Sequence, residues 1–487
     1  MIVVRPTPIK SRPRTASQAT RHCAMVILLF TLVGCMVSAP ALKKAASSPP
    51  GKTIYRYDQN PFPSTYKPYP GVPTLIRNVT VFDGEGGRID HGAVLFSDGK
   101  VVEVALNVVA PTGATVIDGT GKWLTPGIID IHSHLGVSAP PDVAANDDEN
   151  EMTAPVTAEV WAEHSVWPQD PSFGRSLVNG GVTTMQILPG SGNLFGGRSV
   201  VLKNVYATTV QGMKFPDAPY GLKMACGENP KGIYGEKGRE PSTRMGNIAI
   251  DRETWAKAVE YKRKWDKYEK QGGDPPDRDI AMDTLRAVLE GKILVQNHCY
   301  RADEMANVID MSKEFGYHVT AFHHAIEGYK IADLLKANGV CAVVFADQYG
   351  FKLEAYDGVS ENLALLYKAG VCVMIHSDER NGQQRLNQEV SKAVAAGCRA
   401  GIDIPDEVAW EFLSYNPAKA LGIAERTGSL KPGKMADLVL WNGNPFSVYA
   451  RPDKVWIDGA LLFDARNPIL RPMSDFELGQ PGEGVIK

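Results

Sequence analysis

The sequence predicts an α/β fold in which a parallel sheet covered by helices is inserted between the two halves of a small β domain. Three observations carry this. Apolar strand-like runs alternate with helical stretches through the middle of the chain. Short strands punctuated by Asp-Gly and Gly-Gly turns lie at both ends. The 487 residues also exceed one ordinary compact domain unless that domain is a barrel.

Taken in order, the opening strands are Thr74 to Asp83, Gly92 to Phe96 and Lys100 to Val104, followed by Thr115-Val-Ile-Asp-Gly-Thr-Gly and Trp123-Leu-Thr-Pro-Gly-Ile-Ile-Asp130. Asp98-Gly99 marks a tight turn between the second and third of these. The middle pattern is clearest from Ile293 to Ser377: strand to His298, helix near Ala302 to Phe315, strand ending at His324, helix near Tyr329 to Asn338. A strand from Val340 to Ala346, a helix from Ser360 to Lys368 and a strand from Val371 to Ile375 follow. After Gly428 short strands return at Ala436 to Trp441 and Val455 to Gly459, so both chain ends are expected in one β domain. The expected boundaries are 73–126 and 426–475 for the two parts of that domain, read as a β-sandwich, and 127–425 for the strand-helix domain.

Residues 1–38 read as an export signal. Arg5, Lys10, Arg12, Arg14 and Arg21 precede an apolar run from Ala24 to Val33, which is too short for a bilayer that needs about 20 helical residues. Leu32-Val-Gly-Cys35 resembles a bacterial lipoprotein box, in which Cys35 would carry the lipid; the alternative is simple cleavage after Val37-Ser-Ala39. Both place the protein outside the cytoplasm of a Gram-negative bacterium, free in the periplasm or lipid-anchored at the outer membrane. Residues 39–72, rich in Pro, Ser and Tyr, read as a linker. Beyond the signal remain Cys226, Cys299, Cys341, Cys372 and Cys398, an odd set without CxxC spacing that predicts no disulfide framework. Cys341 and Cys372 lie in apolar runs and read as small core residues. A hydrophobic share of 44% and a charged share of 22% exclude wholesale disorder, and a net charge of −3 excludes the basic footprint of a nucleic-acid binder.

The chemistry centres on His132-Ser133-His134 after the apolar Gly127 to Ile131. Side chains two apart on a strand share a face, so both imidazoles can reach one metal ion. An HxH pair alone is weak. It gains weight because His298, His323, His324 and Asp378 also stand at the ends of later strands, with His376 just before Asp378. In a βα barrel those ends converge on one mouth, where the active site lies.

These motifs, in this order, resemble the amidohydrolase superfamily in its imidazolonepropionase-like branch. They are Leu124 to His134, His298, His324-Ala-Ile-Glu327, His376-Ser-Asp378, Asn416 to Gly422, and Gly428 to Trp441. The resemblance covers roughly Thr74 to Leu462. It implies a distorted (β/α)8 TIM barrel flanked by a composite β-sandwich from both chain ends, binding one or two divalent ions, zinc above others. His132 and His134 would bind the more buried metal, His298 and His324 a second metal or a water, and Asp378 would be both ligand and proton shuttle. His324 is taken over His323 because His-Ala-x-Glu better matches the family's segment. Two groups compete to join the metals: a carboxylated Lys223, or Glu228 in Cys226-Gly-Glu-Asn229, which is preferred because Gly227 frees the backbone and Asn-Pro ends the strand.

Gly190-Ser-Gly192-Asn-Leu-Phe-Gly196-Gly197 lacks a P-loop lysine and the spacing of a dinucleotide fingerprint, so it reads as a structural or substrate-facing loop. No G-x-S-x-G elbow occurs. Arg244 is a candidate for holding a substrate carboxylate, set against an ordinary solvated helix face, and Tyr234 is its neighbour in the same long segment. The expected activity is hydrolysis of an amide, cyclic amide or peptide-like C–N bond in a small molecule. Deamination of an amidine-like ring, and a catalytically inactive surface binding lipoprotein, are the alternatives; a homo-oligomer is also compatible.

Overall fold

The computed structural model describes residues 57, 60–348 and 350–467. The signal, Cys35 and the chain beyond 467 lie outside the described residues. The chain opens with β1 (Thr74–Phe82), β2 (Arg88–Ser97), β3 (Lys100–Ala105), β4 (Thr115–Asp118) and β5 (Trp123–Pro126). The barrel strands follow as β6 (Ile128–Ser133), β7 (Val182–Ile187), β8 (Phe195–Lys203), β9 (Tyr220–Ala225), β10 (Ile293–Cys299), β11 (Val319–His324), β12 (Cys341–Val344) and β13 (Val373–Ile375). The chain then returns through β14 (Leu438–Trp441), β15 (Pro452–Ile457) and β16 (Ala460–Asp464).

Both ends do build one β domain. Its strands form a single sheet in the order β16-β15-β14-β5-β1-β2-β3, with β4 beside β1. Instead of two separate layers, this one sheet curls over a shared core in which Phe96 and Trp456 meet edge to face at 5.6 Å and Val81, Leu124 and Leu438 are fully buried. Asp98-Gly99 and Asp458-Gly459 close the β2–β3 and β15–β16 hairpins with positive φ at both residues. Those are the angles of a two-residue turn whose twist suits the strands it joins.

The second sheet is eight-stranded, in the order β6 to β13, and wraps into a nearly closed barrel. All its neighbours are parallel except β8, which runs antiparallel to both β7 and β9. Chain length forces this distortion: the connection from Ile187 to Phe195 is far too short for the dozen or more residues of a parallel crossover. Closure between β13 and β6 comes from side chains. Asp130 accepts the Ser377 hydroxyl and the backbone N–H groups of His132 and Ser377, and Asp378 N–H donates to His132 O at 3.1 Å. Ile129, Ile131, Val201, Ala321, Val343 and Met374 form one buried cluster contributed from around the wall, so the barrel is packed shut on the N-terminal side of its site.

Two expectations need correction. Cys226 is bonded to Cys299 and Cys341 to Cys372, leaving Cys398 free. Each pair lies one residue beyond the paired register of two adjacent parallel strands, which sequence spacing does not show. The expected linker is also docked where it is described. Ser64 Oγ donates to Lys214 O at 2.6 Å, Thr65 N–H to Gln211 O at 2.9 Å and the Tyr66 hydroxyl to Asp458. Its tyrosine and serine hydroxyls find partners on the folded body.

Candidate metal centre

The mouth of the barrel gathers the residues singled out at strand ends. His132 leaves β6, and His134 follows it past a register irregularity between Asp130 and Ser133. His298 comes from β10, His323 and His324 from β11, and His376 and Asp378 from just beyond β13. His324 and Asp378 have φ of 71° and 60°, a left-handed conformation that side chains of this kind seldom adopt and that recurs at functional sites.

The hydrogen bonds around the centre set the direction of its lone pairs. Gln296 Nε2 donates to Ala420 O, so Gln296 Oε1 faces His323 Nε2 at 2.8 Å and accepts a hydrogen bond from its N–H. The neutral His323 then presents Nδ1 as acceptor to His132 Nδ1, 2.9 Å away, which leaves His132 Nε2 as a lone pair. His134 Nδ1 donates to Leu188 O at 2.9 Å, directing Nε2 to the same spot. His132 Nε2 lies 3.2 Å from His134 Nε2 and 3.1 Å from Asp378 Oδ1, and His134 Nε2 lies 3.5 Å from that oxygen. Three acceptors thus face one another at the edge lengths of a tetrahedron whose metal–ligand bonds are about 2.0–2.2 Å.

His324 Nδ1 stands 3.8 Å from Asp378 Oδ2, and the His376 ring stacks on His132 with centroids 5.1 Å apart. The nitrogens of His298 and His376 and His324 Nδ1 are buried without hydrogen-bond partners. His132, His324, His376 and Asp378 together offer ligand atoms within 4.8 Å of one another. Orphaned buried nitrogens and converging acceptors are what a divalent ion would satisfy, so the residues fit one.

Burial, reinforced by Lys223, drives His132 well below the ordinary histidine value, and burial does the same to His298, His323 and His324. His376 falls to about 4 for the same reason. His134 is the exception: burial lowers it, but Glu149 and Asp378 outweigh that and raise it. Asp378 is pushed up by burial and more than brought back by the His134 hydrogen bond, His376 and Lys223, ending below the usual carboxylate value. A positive charge, proton or metal, is what the space between His134 and its carboxylates is built to hold.

The fourth barrel strand brings Lys223 rather than Glu228 to the centre. Lys223 is fully buried, its Nζ lies 3.2 Å from His132 Nε2, and desolvation lowers its pKa to about 8. Glu228, preferred from the sequence, has left the strand for the first turn of the helix Glu228–Gly235, where it pairs with Lys352 at 3.4 Å. Arg244 opens the helix Arg244–Gln271 and is engaged by Glu304 and Glu354, so its guanidinium is committed within the protein. Tyr234 is buried and its hydroxyl is shared by Ala154 O and Asn193. The sequence noted His376 without assigning it a role, although its i, i+2 relation to Asp378 repeats that of His132 and His134. It missed Glu149, whose Oε1 lies 3.8 Å from His134 Nε2.

The sequence model of the amidohydrolase family matches residues 202–462, more than half of the chain. The chain belongs to the amidohydrolase family. Among its relatives, Amidohydrolase tasK of Hapsidospora irregularis is 32% identical over 433 residues, covering 81% of this chain but only 43% of that longer protein. An imidazolonepropionase of Mesorhizobium japonicum is 24% identical over 392 residues, covering 75% of this chain and 90% of its own. Among solved structures, an amidohydrolase from Thermotoga maritima MSB8 superposes with a TM-score of 0.74 at 37% identity, covering 80% of this chain and all of that one. The chain therefore shares its overall fold with a family member of known structure.

Proposed function

We propose that this amidohydrolase is a metal-dependent enzyme that hydrolyses an amide-type C–N bond of a small molecule. The observation that carries the reading is the triangle of acceptors His132 Nε2, His134 Nε2 and Asp378 Oδ1, with edges of 3.1 to 3.5 Å. His132, His134 and Asp378 would hold one ion, and His298 and His324 a second, with His376 alongside. Lys223, in carboxylated form, is the better candidate to join them, because it already touches His132. A divalent ion bound there supplies a water whose pKa falls from 15.7 to about 7 and polarises the carbonyl.

The remaining steps belong to the chain. Asp378 is ionised and beside the centre, so it accepts the proton of the attacking water and passes it to the leaving nitrogen. His323 and Gln296 hold His132 in the tautomer that keeps Nε2 free. Phe345 stacks on His324 with centroids 5.0 Å apart and meets His376 at 4.4 Å, excluding water from that flank. Export to the periplasm, with or without a lipid on Cys35, is part of this reading. Two disulfides among the described residues support it, since such bonds persist in oxidising compartments.

Metal analysis of the mature protein from metal-replete cells tests the proposal, with one or two equivalents of zinc, manganese or iron expected; traces alone would overturn it. Lys223→Met should remove about one equivalent where Glu228→Gln removes none. Release of ammonia from ring amidines in place of amide cleavage would favour deamination. Membrane retention lost in Cys35→Ser would support the lipid anchor, and unchanged retention would refute it.

A further inference from the structure

The glycine-rich segment after β7 is left unexplained by the reaction, yet it has a defined partner. Gly190 N–H donates to Glu149 O at 2.9 Å, Gly192 N–H to Asn150 Oδ1 at 2.8 Å and Asn193 Nδ2 to Glu151 O at 2.8 Å. The same hairpin contributes Leu188 O, which orients His134. It therefore clamps the strip 149–151 beside the metal centre. A Cβ at Gly190 would stand 2.4 Å from Glu149 Oε1 and 2.0 Å from Asn150 Nδ2, so the absence of a side chain is what lets this carboxylate take its place.

Glu149 faces His134 and is held there with no lysine or arginine partner among the described residues. Its side chain is 28% exposed, with Oε1 3.8 Å from His134 Nε2. Among the described residues no lysine or arginine nitrogen is within ion-pairing distance of it, and its one hydrogen bond, from Asn150, is a long 3.4 Å. Most other carboxylates around the mouth are engaged: Glu228 by Lys352, and Glu304 and Glu354 by Arg244. A carboxylate that is positioned, partly exposed and paired with no lysine or arginine, next to where a scissile carbonyl must lie, suits a positive group on the substrate.

Distance says which group. In an aminoacyl amide the α-nitrogen lies roughly 2.5 Å from the carbonyl carbon, as bond lengths of 1.46 and 1.52 Å and an angle near 111° require. A carbonyl poised over His132, His134 and Asp378 would thus carry its α-ammonium within a few ångströms of that centre, and Glu149, 3.8 Å from His134 Nε2, is the carboxylate without a lysine or arginine that could meet it there. We infer that Glu149, seated by the glycine-rich hairpin, receives the free α-ammonium of the substrate, so that the enzyme acts on unblocked aminoacyl amides such as dipeptides. N-acyl amino acids and cyclic ureides offer no such charge and would be poor substrates. This rests on the amide-hydrolase reading and narrows it.

The test compares kcat/KM of the metal-loaded enzyme for a panel of dipeptides and for the same dipeptides N-acetylated. The free amines should be preferred roughly ten- to hundredfold, the range of a charge-assisted hydrogen bond. Glu149→Gln should shrink that ratio at least tenfold with metal content unaltered. Gly190→Ala should shrink it too, with Glu149 still present. Equal turnover of the acetylated panel, or a ratio unmoved by Glu149→Gln, overturns the inference while leaving amide hydrolysis standing. Loss of metal in Glu149→Gln also overturns it, by making Glu149 a ligand. Turnover of neither panel by metal-loaded enzyme also overturns the inference, and activity on cyclic amides and ureides then decides whether amide hydrolysis stands.

Discussion

Two of the buried polar clusters among the described residues differ in a way that separates architecture from chemistry. In the first, near the curled sheet, Lys203 Nζ pairs with Asp458 at 2.6 Å and Asp437 at 3.4 Å. Thr427 Oγ1 donates to Asp437 at 2.7 Å, Asp458 N–H donates to Asp437 at 2.9 Å, and the Tyr66 hydroxyl donates to Asp458. Every charge there has an opposite or a donor facing it. At the barrel mouth acceptors face acceptors, and five imidazole nitrogens of His298, His324 and His376 have no partner. Burial of polar groups is affordable when they satisfy one another, and where they do not, a group from outside is expected to complete them.

The largest effect should come from the incomplete cluster. Asp378→Asn keeps the shape of the side chain but removes its basicity, and kcat should fall about 10²- to 10⁴-fold. Metal content measured on the same sample should stay near the wild-type value. Undiminished turnover would show that another group moves the proton.

In the self-satisfied cluster the expected loss is of stability. Lys203→Met leaves Asp437 and Asp458 buried together without their cation, at a cost of about 3–5 kcal/mol in denaturant unfolding. Metal affinity of the folded fraction should not change. If metal binding fell with stability, the two clusters would be coupled and the contrast between them would fail.

The sequence made the mouth legible to the extent that candidate ligands repeat at strand ends. His132, His134, His298, His324 and Asp378 could be picked out because strand periodicity and an apolar run before each fix where it points. The choice between Lys223 and Glu228 was not legible. Lys223 lies inside a strand and points inward, whereas Glu228 falls after the chain has turned into a helix, and three-dimensional register alone distinguishes them. Glu149 was hidden for a related reason: it is functional through a contact with a hairpin 41 residues downstream at Gly190, on a loop with no periodicity. The cysteine pairs escaped because parallel neighbours are far apart in sequence, by 73 and 31 residues. The composite β domain was readable since Asp-Gly turns carry their geometry locally, at Asp98-Gly99 and Asp458-Gly459 alike.

A smaller effect sharpens the picture of the mouth. Gln296→Leu removes the acceptor that orients His323, and through it His132, without touching the acceptor triangle. Metal affinity should drop roughly ten- to hundredfold, as expected for the partner of a ligating histidine. Competition with a chelating dye measures it, and an unchanged affinity would mean that His132 holds its tautomer without the relay.

The smallest effect concerns the β domain. Gly99 has a φ of 77° in the Asp98-Gly99 turn, and Gly459, with a φ of 73°, sits against it from the other chain end. A Cβ on Gly99 would meet Asp458 O at 3.2 Å, so the neighbouring turn must give by a few tenths of an ångström. Gly99→Ala should therefore cost about 1–2 kcal/mol, the penalty for a left-handed residue with a side chain. Asp458 belongs to both that neighbouring turn and the self-satisfied cluster, so the substitution strains that cluster through the backbone and leaves the mouth alone. Combining Gly99→Ala with Lys203→Met should then give a loss different from the sum of the two, because they share Asp458. Combining Gly99→Ala with Gln296→Leu should give simple additivity in stability, and a departure from it would reveal that the β domain and the metal centre are not energetically separate.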